Sequence, residues 1–350
     1  MRRRLGLICV TMLSILMLSG CKKETTQSYS HTDFAMGTVT NISLYGTVTE
    51  DKLKEKEENL IKVVKEIEDK QISWRVKDSA ISKLNGLKNK NKVTVKEPLL
   101  SWLKTSMEIS REASGKVDGS IGLLTQTWDF ESAHPVAPSA ETIKKVLKEG
   151  NISGCYKNVK FEKNGTITTG KNVKFDLGAF GKGIGIDKVY EMMKKDKTIS
   201  GGIVALGGSV AVYGKKEDGQ SWNVGVQNPS GEQGEVLGSL KLEGGKFIST
   251  SGDYEKYFID KKTGKRYFHI LDENTGYSVD TDVKSCTIVC DSGIISDGLS
   301  TACFALGPKK SQQLLKKYNA KAIFVDKKHK VTVSKGLEFT LQDNRYKVIN

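Results

Sequence analysis

Two stretches far apart in the chain carry residue types suited to phosphate chemistry. In Asp176-Leu-Gly-Ala-Phe-Gly-Lys-Gly-Ile-Gly-Ile-Asp187, glycines at 178, 181, 183 and 185 surround Lys182. Such a loop lets backbone N–H groups approach an anion at the start of a helix, where the dipole favours negative charge. Lys182 would add a point charge. In Asp297-Gly-Leu-Ser-Thr301 a carboxylate and a hydroxyl four residues apart share one helical face, and oxygen ligands of this kind suit a hard cation such as Mg²⁺. Singly, each has a plainer reading: a glycine-softened turn that packs a helix on a sheet, and an Asp that caps a helix. The loop is not a standard nucleotide fingerprint. A Walker A loop needs four residues between its first glycine and Gly-Lys, where Gly178 and Gly181 are separated by two, and a GxGxxG starting at Gly181 meets Ile186.

The elements that would hold these residues are legible as patterns. Lys174 to Leu177 reads as the end of a strand, and Ile184 to Lys195 as an amphipathic helix with apolar residues at 186, 189, 192 and 193. A further helix start is expected at Ser296, running to Leu306. Other helical patterns cover 51–70, 97–113, 140–149 and 309–318, and they alternate with strand-like runs at 201–213, 222–228, 235–243, 254–260 and 283–290. No proline-rich linker or repeat divides the chain, so one continuous α+β domain is expected over 31–350.

Eight segments, in order, then carry a resemblance: Met36-Gly-Thr38; Ser73-Trp-Arg with Ser79-Ala-Ile-Ser-Lys-Leu-Asn85; Val117-Asp-Gly-Ser-Ile-Gly-Leu-Leu124; Asp176 to Asp187; Gly207-Gly208; Ser249-Thr-Ser-Gly-Asp-Tyr-Glu255; His269-Ile-Leu-Asp-Glu-Asn-Thr-Gly276; and Ser296-Asp-Gly-Leu-Ser-Thr-Ala302. The chain resembles the ApbE-type FAD:protein FMN transferases. The resemblance implies a mixed α/β domain enclosing one FAD, and a reaction that moves FMN from FAD to a Thr or Ser hydroxyl of a partner protein with release of AMP. It implies that Asp297, Thr301 and the carbonyl of Ala179 hold Mg²⁺, that Lys182 contacts phosphate, and that Asp176 hydrogen-bonds the flavin nucleotide. Met36, Trp74, Val117, Asp118 and Leu271 fall where the family lines its FAD pocket, with Trp74 placed to stack on the adenine; for Met36 and Trp74 ordinary core packing is the alternative. His269, one of four histidines, follows the strand-like run Lys265 to Phe268 and is the expected base for the acceptor hydroxyl. The sequence departs from the family pattern at Glu273, Gly119 and Ser209-Val210. An FAD pyrophosphatase yielding free FMN and AMP, and a flavin-binding lipoprotein without turnover, are the competing readings. The family's acceptor motif, of the type Asp-Gly-x-x-Ser/Thr-Ala/Gly-Thr, is not evident in this chain, which points to another exported protein as acceptor.

The N-terminus addresses the protein. Arg2-Arg-Arg4 and the apolar stretch Leu5 to Leu18 form a signal peptide, and Leu18-Ser-Gly-Cys21 resembles a lipobox in which Cys21 is lipidated. Residues 1–20 are then lost, and 21–30 read as the lipidated cysteine and a polar tether holding the enzyme to the outer side of a membrane. Loss of three arginines takes the formal charge from +14 to +11. Lysines interleaved with glutamates, without a recognised nucleic-acid motif, argue against nucleic acid as a partner. A basic surface near an anionic membrane or an anionic dinucleotide accounts for the charge. Cys155, Cys286, Cys290 and Cys303 remain and read as small buried hydrophobes; 286 and 290, four apart on one strand, lie about 13 Å from each other and cannot pair.

Overall fold

A computed structural model describes residues 26–87, 92–170, 172–216 and 218–349. The signal peptide and Cys21 lie outside them. The chain opens with strands β1 (Gln27–Ala35) and β2 (Thr38–Gly46), followed by helices α1 (Glu50–Ile67) and α2 (Ala80–Gly86), strand β3 (Val93–Thr94), and helices α3 (Leu99–Glu112), α4 (Gly122–Trp128) and α5 (Ala140–Gly150). Short strands β4 (Lys160–Phe161) and β5 (Thr166–Thr168) precede α6 (Gly181–Lys195) and strands β6 (Ile199–Leu206), β7 (Ser209–Gly214), β8 (Trp222–Gln227), β9 (Val236–Leu242), β10 (Lys246–Gly252), β11 (Tyr257–Ile259), β12 (Arg266–Phe268) and β13 (Val283–Cys290). The chain closes with α7 (Gly293–Lys310), α8 (Gln312–Lys317), and β14 (Lys321–Asp326), β15 (Lys330–Val333), β16 (Phe339–Leu341) and β17 (Lys347–Ile349).

A nine-stranded sheet, ordered β1-β2-β6-β7-β10-β13-β14-β15-β17, forms the spine. One face takes helices. Buried Leu53, Leu60, Ile61 and Val64 of α1 repeat at helical spacing and meet Ile186, Val189 and Met193 of α6 over Ile42, Leu44 and Val204 of the sheet. The other face packs Ile248, Val289, Ile323 and Val325 against Val224, Val226 and Leu240 of a smaller sheet, β16-β9-β8. A separate apolar mass, including Leu103, Leu124, Trp128, Phe175, Phe180 and Phe304, supports α7 from the side of α3 and α4. The mixed α+β expectation holds.

Local differences are instructive. The run 201–213 is a hairpin, because Gly207 (φ 55) turns the chain between β6 and β7. Lys174 to Leu177 is no strand; only Lys174 forms an isolated bridge, to Ile121. α6 and α7 each begin three residues earlier than the patterns predict, at Gly181 and Gly293. Gln27 to Ser30, expected in the tether, pair with β2 as the edge of the main sheet. Among the described residues Cys155, Cys286, Cys290 and Cys303 are free thiols and buried, as expected.

Candidate active site

α6 and α7 meet backbone to backbone at Gly183 and Gly293. A Cβ on Gly183 would stand 2.2 Å from the carbonyl oxygen of Gly293, and one on Gly293 would stand 2.3 Å from that of Gly183. Gly185 is likewise pressed against Leu206 and Met36. Gly183 and Gly185 serve close packing between elements, whereas Gly178 and Gly181 line the cleft. Asp187 fastens the crossing: its carboxylate accepts from the N–H groups of Gly293 (2.6 Å) and Ile294 (2.8 Å), satisfying the first turn of α7. That cap, supplied from another helix, is why α7 starts before Ser296.

The crossing brings the two predicted chemical groups together. Asp297 is 2% exposed. One carboxylate oxygen accepts from Gly183 N–H (2.9 Å), and the other accepts from the Ser209 hydroxyl (3.2 Å) and faces Lys182 Nζ at 3.8 Å. Asp297 therefore occupies one of the first-turn amides of α6, and Gly181 and Lys182 continue that helix start along a cleft wall. The Asp297 carboxylate holds the Lys182 ammonium above its ordinary pKa against the opposing effect of burial. One turn on, Thr301 Oγ1 lies 3.2 Å from the Ser251 hydroxyl, which also pairs with Ser300 at 2.7 Å. Asp297, Thr301 and the nearby hydroxyls make an all-oxygen donor set, chemically suited to a hard cation. Among the described residues no three His, Cys, Asp or Glu side chains gather as a metal cage.

The cleft has a volume of about 920 Å³. Met36, Trp74, Asp176 and Lys182 line it. Asp176 is pre-set: it accepts from Thr125 Oγ1 (2.6 Å) and Gly178 N–H (2.8 Å). Val117, Asp118, Ala179, His269 and Leu271 are not among the residues that line it. Both carboxylate oxygens of Asp118 are consumed, by Ser120 and by the Tyr156 N–H, and burial lifts its pKa to about 6. Val117 and Ala179 pack with the apolar mass beside α7.

His269 follows β12 directly and donates its backbone N–H to the Lys256 carbonyl (3.0 Å). Its Nδ1 is buried without a partner. Burial, then the Lys256 and Lys182 ammonium groups, push its pKa down to about 3. A ring kept neutral has one nitrogen free to take a proton. It would become more basic once an anion neutralised the two lysines.

Several cleft residues carried no separate signal in the sequence. Arg75 lies 4.0 Å over the Trp74 ring and pairs with Asp129 (2.5 Å) and Glu131 (3.0 Å), and Lys256 also pairs with Glu131. The network covers one face of the indole. Glu255 lines the cleft beside Gly208; burial raises its pKa, opposed by Lys182. Ser209, noted as a departure from the family pattern, is the hydroxyl donor to Asp297.

The sequence model of the ApbE family matches residues 36–324. The chain belongs to the ApbE family. The FAD:protein FMN transferase of Vibrio cholerae is 28% identical to it over 303 residues, covering 86% of this chain and 88% of that protein. The FAD:protein FMN transferase of Haemophilus influenzae is 27% identical, with 90% of each chain covered. The crystal structure of the ApbE protein of Thermotoga maritima superposes with a TM-score of 0.76 at 30% identity, covering 88% of this chain and 97% of that one. The Asp297–Lys182 pair and the α6–α7 crossing thus lie within the part of the chain that defines ApbE membership.

Proposed function

We propose that this transferase moves FMN from FAD to a Thr or Ser hydroxyl of an exported acceptor protein, with Mg²⁺ as cofactor and AMP as the other product. The observation that carries the reading is the Lys182–Asp297 pair, 3.8 Å apart at a helix start on a cleft of about 920 Å³. In the reaction the acceptor oxygen forms a bond to the FMN phosphorus, the P–O–P bond breaks, AMP leaves with the bridging oxygen, and the acceptor proton passes to His269. Lys182 holds the pyrophosphate and stabilises charge on it as the bond breaks. Trp74, clamped on one face by Arg75, offers the other to the adenine. Asp176, already held by Thr125 and Gly178, orients the nucleotide. Asp297, Thr301 and the Ala179 carbonyl would hold the cation, which when bound would neutralise phosphate charge. Burial of Asp297 beside Ser209 and Gly183 fixes its carboxylate in place.

Cys21, in its lipobox-like setting, would anchor the enzyme on the extracytoplasmic side of a membrane. No described helix is long and apolar enough to cross one. The test is to incubate the chain from residue 22 with FAD, Mg²⁺ and an acceptor bearing the Asp-Gly-x-x-Ser/Thr-Ala/Gly-Thr motif, and weigh the acceptor. A gain of one FMN, lost in His269→Ala and Asp297→Ala, is expected. Free FMN with AMP and no gain would make the enzyme a hydrolase; FAD recovered intact would leave a binding protein.

A further inference from the structure

Four of the large apolar side chains left exposed, Phe34, Val39, Val236 and Tyr257, line the same cleft. Exposed apolar groups concentrated at one opening mark a surface that something else covers. The β11–β12 hairpin continues this surface away from the cleft. Its inner side is spent on the core: Phe258 and Tyr267 pack at a tilt against Trp128, with ring centroids 6.3 and 4.9 Å away. Its outer side carries Tyr257 and Ile259, 51% and 59% exposed, with the Arg266 guanidinium 4.1 Å from the Tyr257 ring. Among the described residues β11 pairs with β12 alone, which leaves its other edge open to one more strand.

Charge gives the face a direction. The turn at its far end holds Lys261, Lys262 and Lys265, all exposed, and the neighbouring Asp260 carboxylate is occupied by the N–H and hydroxyl of Thr263. At the near end the Lys256 carbonyl holds His269, where the hairpin opens on the cleft. A basic end, an apolar middle and a base at the other end describe a track leading a polypeptide to the reaction centre. We propose that the outer face of β11–β12 is the docking surface for the acceptor polypeptide, which lies along it extended, with apolar side chains on Tyr257 and Ile259 and acidic ones at Lys261 and Lys262. The inference rests on the transferase reading. It adds that acceptor residues outside the segment entering the cleft contribute to recognition, through complementary charge.

Two synthetic acceptors test this, both bearing the motif, one with a Glu-rich and one with a Lys-rich apolar flank. Transfer from FAD is followed by intact mass, and FAD binding by flavin fluorescence. For the Glu-flanked acceptor, Lys261→Glu/Lys262→Glu is expected to raise the acceptor KM about tenfold, the scale of two screened charge pairs reversed. FAD affinity and kcat stay unchanged, and the Lys-flanked acceptor recovers in the variant. Ile259→Asp is expected to raise the KM for both acceptors. Wild-type KM values in both variants, or no preference of the wild type between flanks, would overturn the dock while leaving the transferase intact. No transfer by the wild type to either acceptor would overturn both.

Discussion

His269 makes a prediction that does not depend on catalysis. Its pKa of about 3 lies well below the ordinary 6.5 that it regains on unfolding. Between those two values the unfolded chain binds a proton that the folded chain refuses, so folding stability rises with pH across this window and is lost as pH falls through it. Each unit of pKa difference corresponds to about 1.4 kcal/mol, so lowering the pH from 7.5 to 4.5 removes about 3 kcal/mol through this residue alone. The residue is only partly buried although Nδ1 is enclosed, which makes that figure an upper one. His269→Gln keeps a polar side chain and removes the titration. Urea unfolding of both proteins at pH 7.5 and 4.5 isolates the effect, since every other titrating group is common to the two. The wild type is expected to lose up to about 3 kcal/mol more than the variant over this interval. Equal losses would mean that His269 protonates freely in the folded protein, and would remove the ground for an unprotonated, unbonded base.

Gly183→Ala drives a methyl group into the Gly293 carbonyl, with backbone on both sides, and is expected to lower stability by about 3 kcal/mol by urea unfolding. Asp187→Ala strips the cap from α7 and is expected to cost about 1–2 kcal/mol in the same assay and, on the proposed cation site, to raise the Mg²⁺ requirement, because Asp297 lies in the following turn. Asp297→Asn preserves shape while removing the charge that faces Lys182; transfer activity is expected to fall at least about 100-fold and not to return at high Mg²⁺, whereas recovery at high Mg²⁺ would limit Asp297 to tuning affinity.

The two chemical motifs were legible because they depend on residue type at short spacing, and the fold brings Lys182 and Asp297 together. What the glycines do was only half legible. Spacing announces a close approach, but whether an anion or a second helix approaches is a tertiary fact, and Gly183 meets Gly293. Helix starts were misplaced for the same reason, since Asp187 caps α7 from 106 residues away in sequence. The hairpin β1–β2 escaped notice because β1 is an exposed edge strand with few apolar residues to alternate. Asp118 is held by Ser120 and by the Tyr156 N–H, and the second of these partners, 38 residues away, is invisible in any local pattern. Arg75, Glu131 and Lys256 meet from three separate segments, and no local pattern links them.

Where α6 touches α7, backbone rests on backbone at Gly183 and Gly293. Two rods joined by side chains drift apart or together whenever a methyl group is gained or lost; two rods touching backbone to backbone have no such adjustable spacer. The distance from the start of α6 to the turn that carries Asp297 is consequently a property of the main chain, and the Gly183 N–H that meets the carboxylate shares it. Sequence change in the surrounding apolar mass can alter how firmly the helices are held without changing that spacing. Relatives that differ at roughly seven positions in ten could thus keep one working distance while exchanging almost everything that supports it.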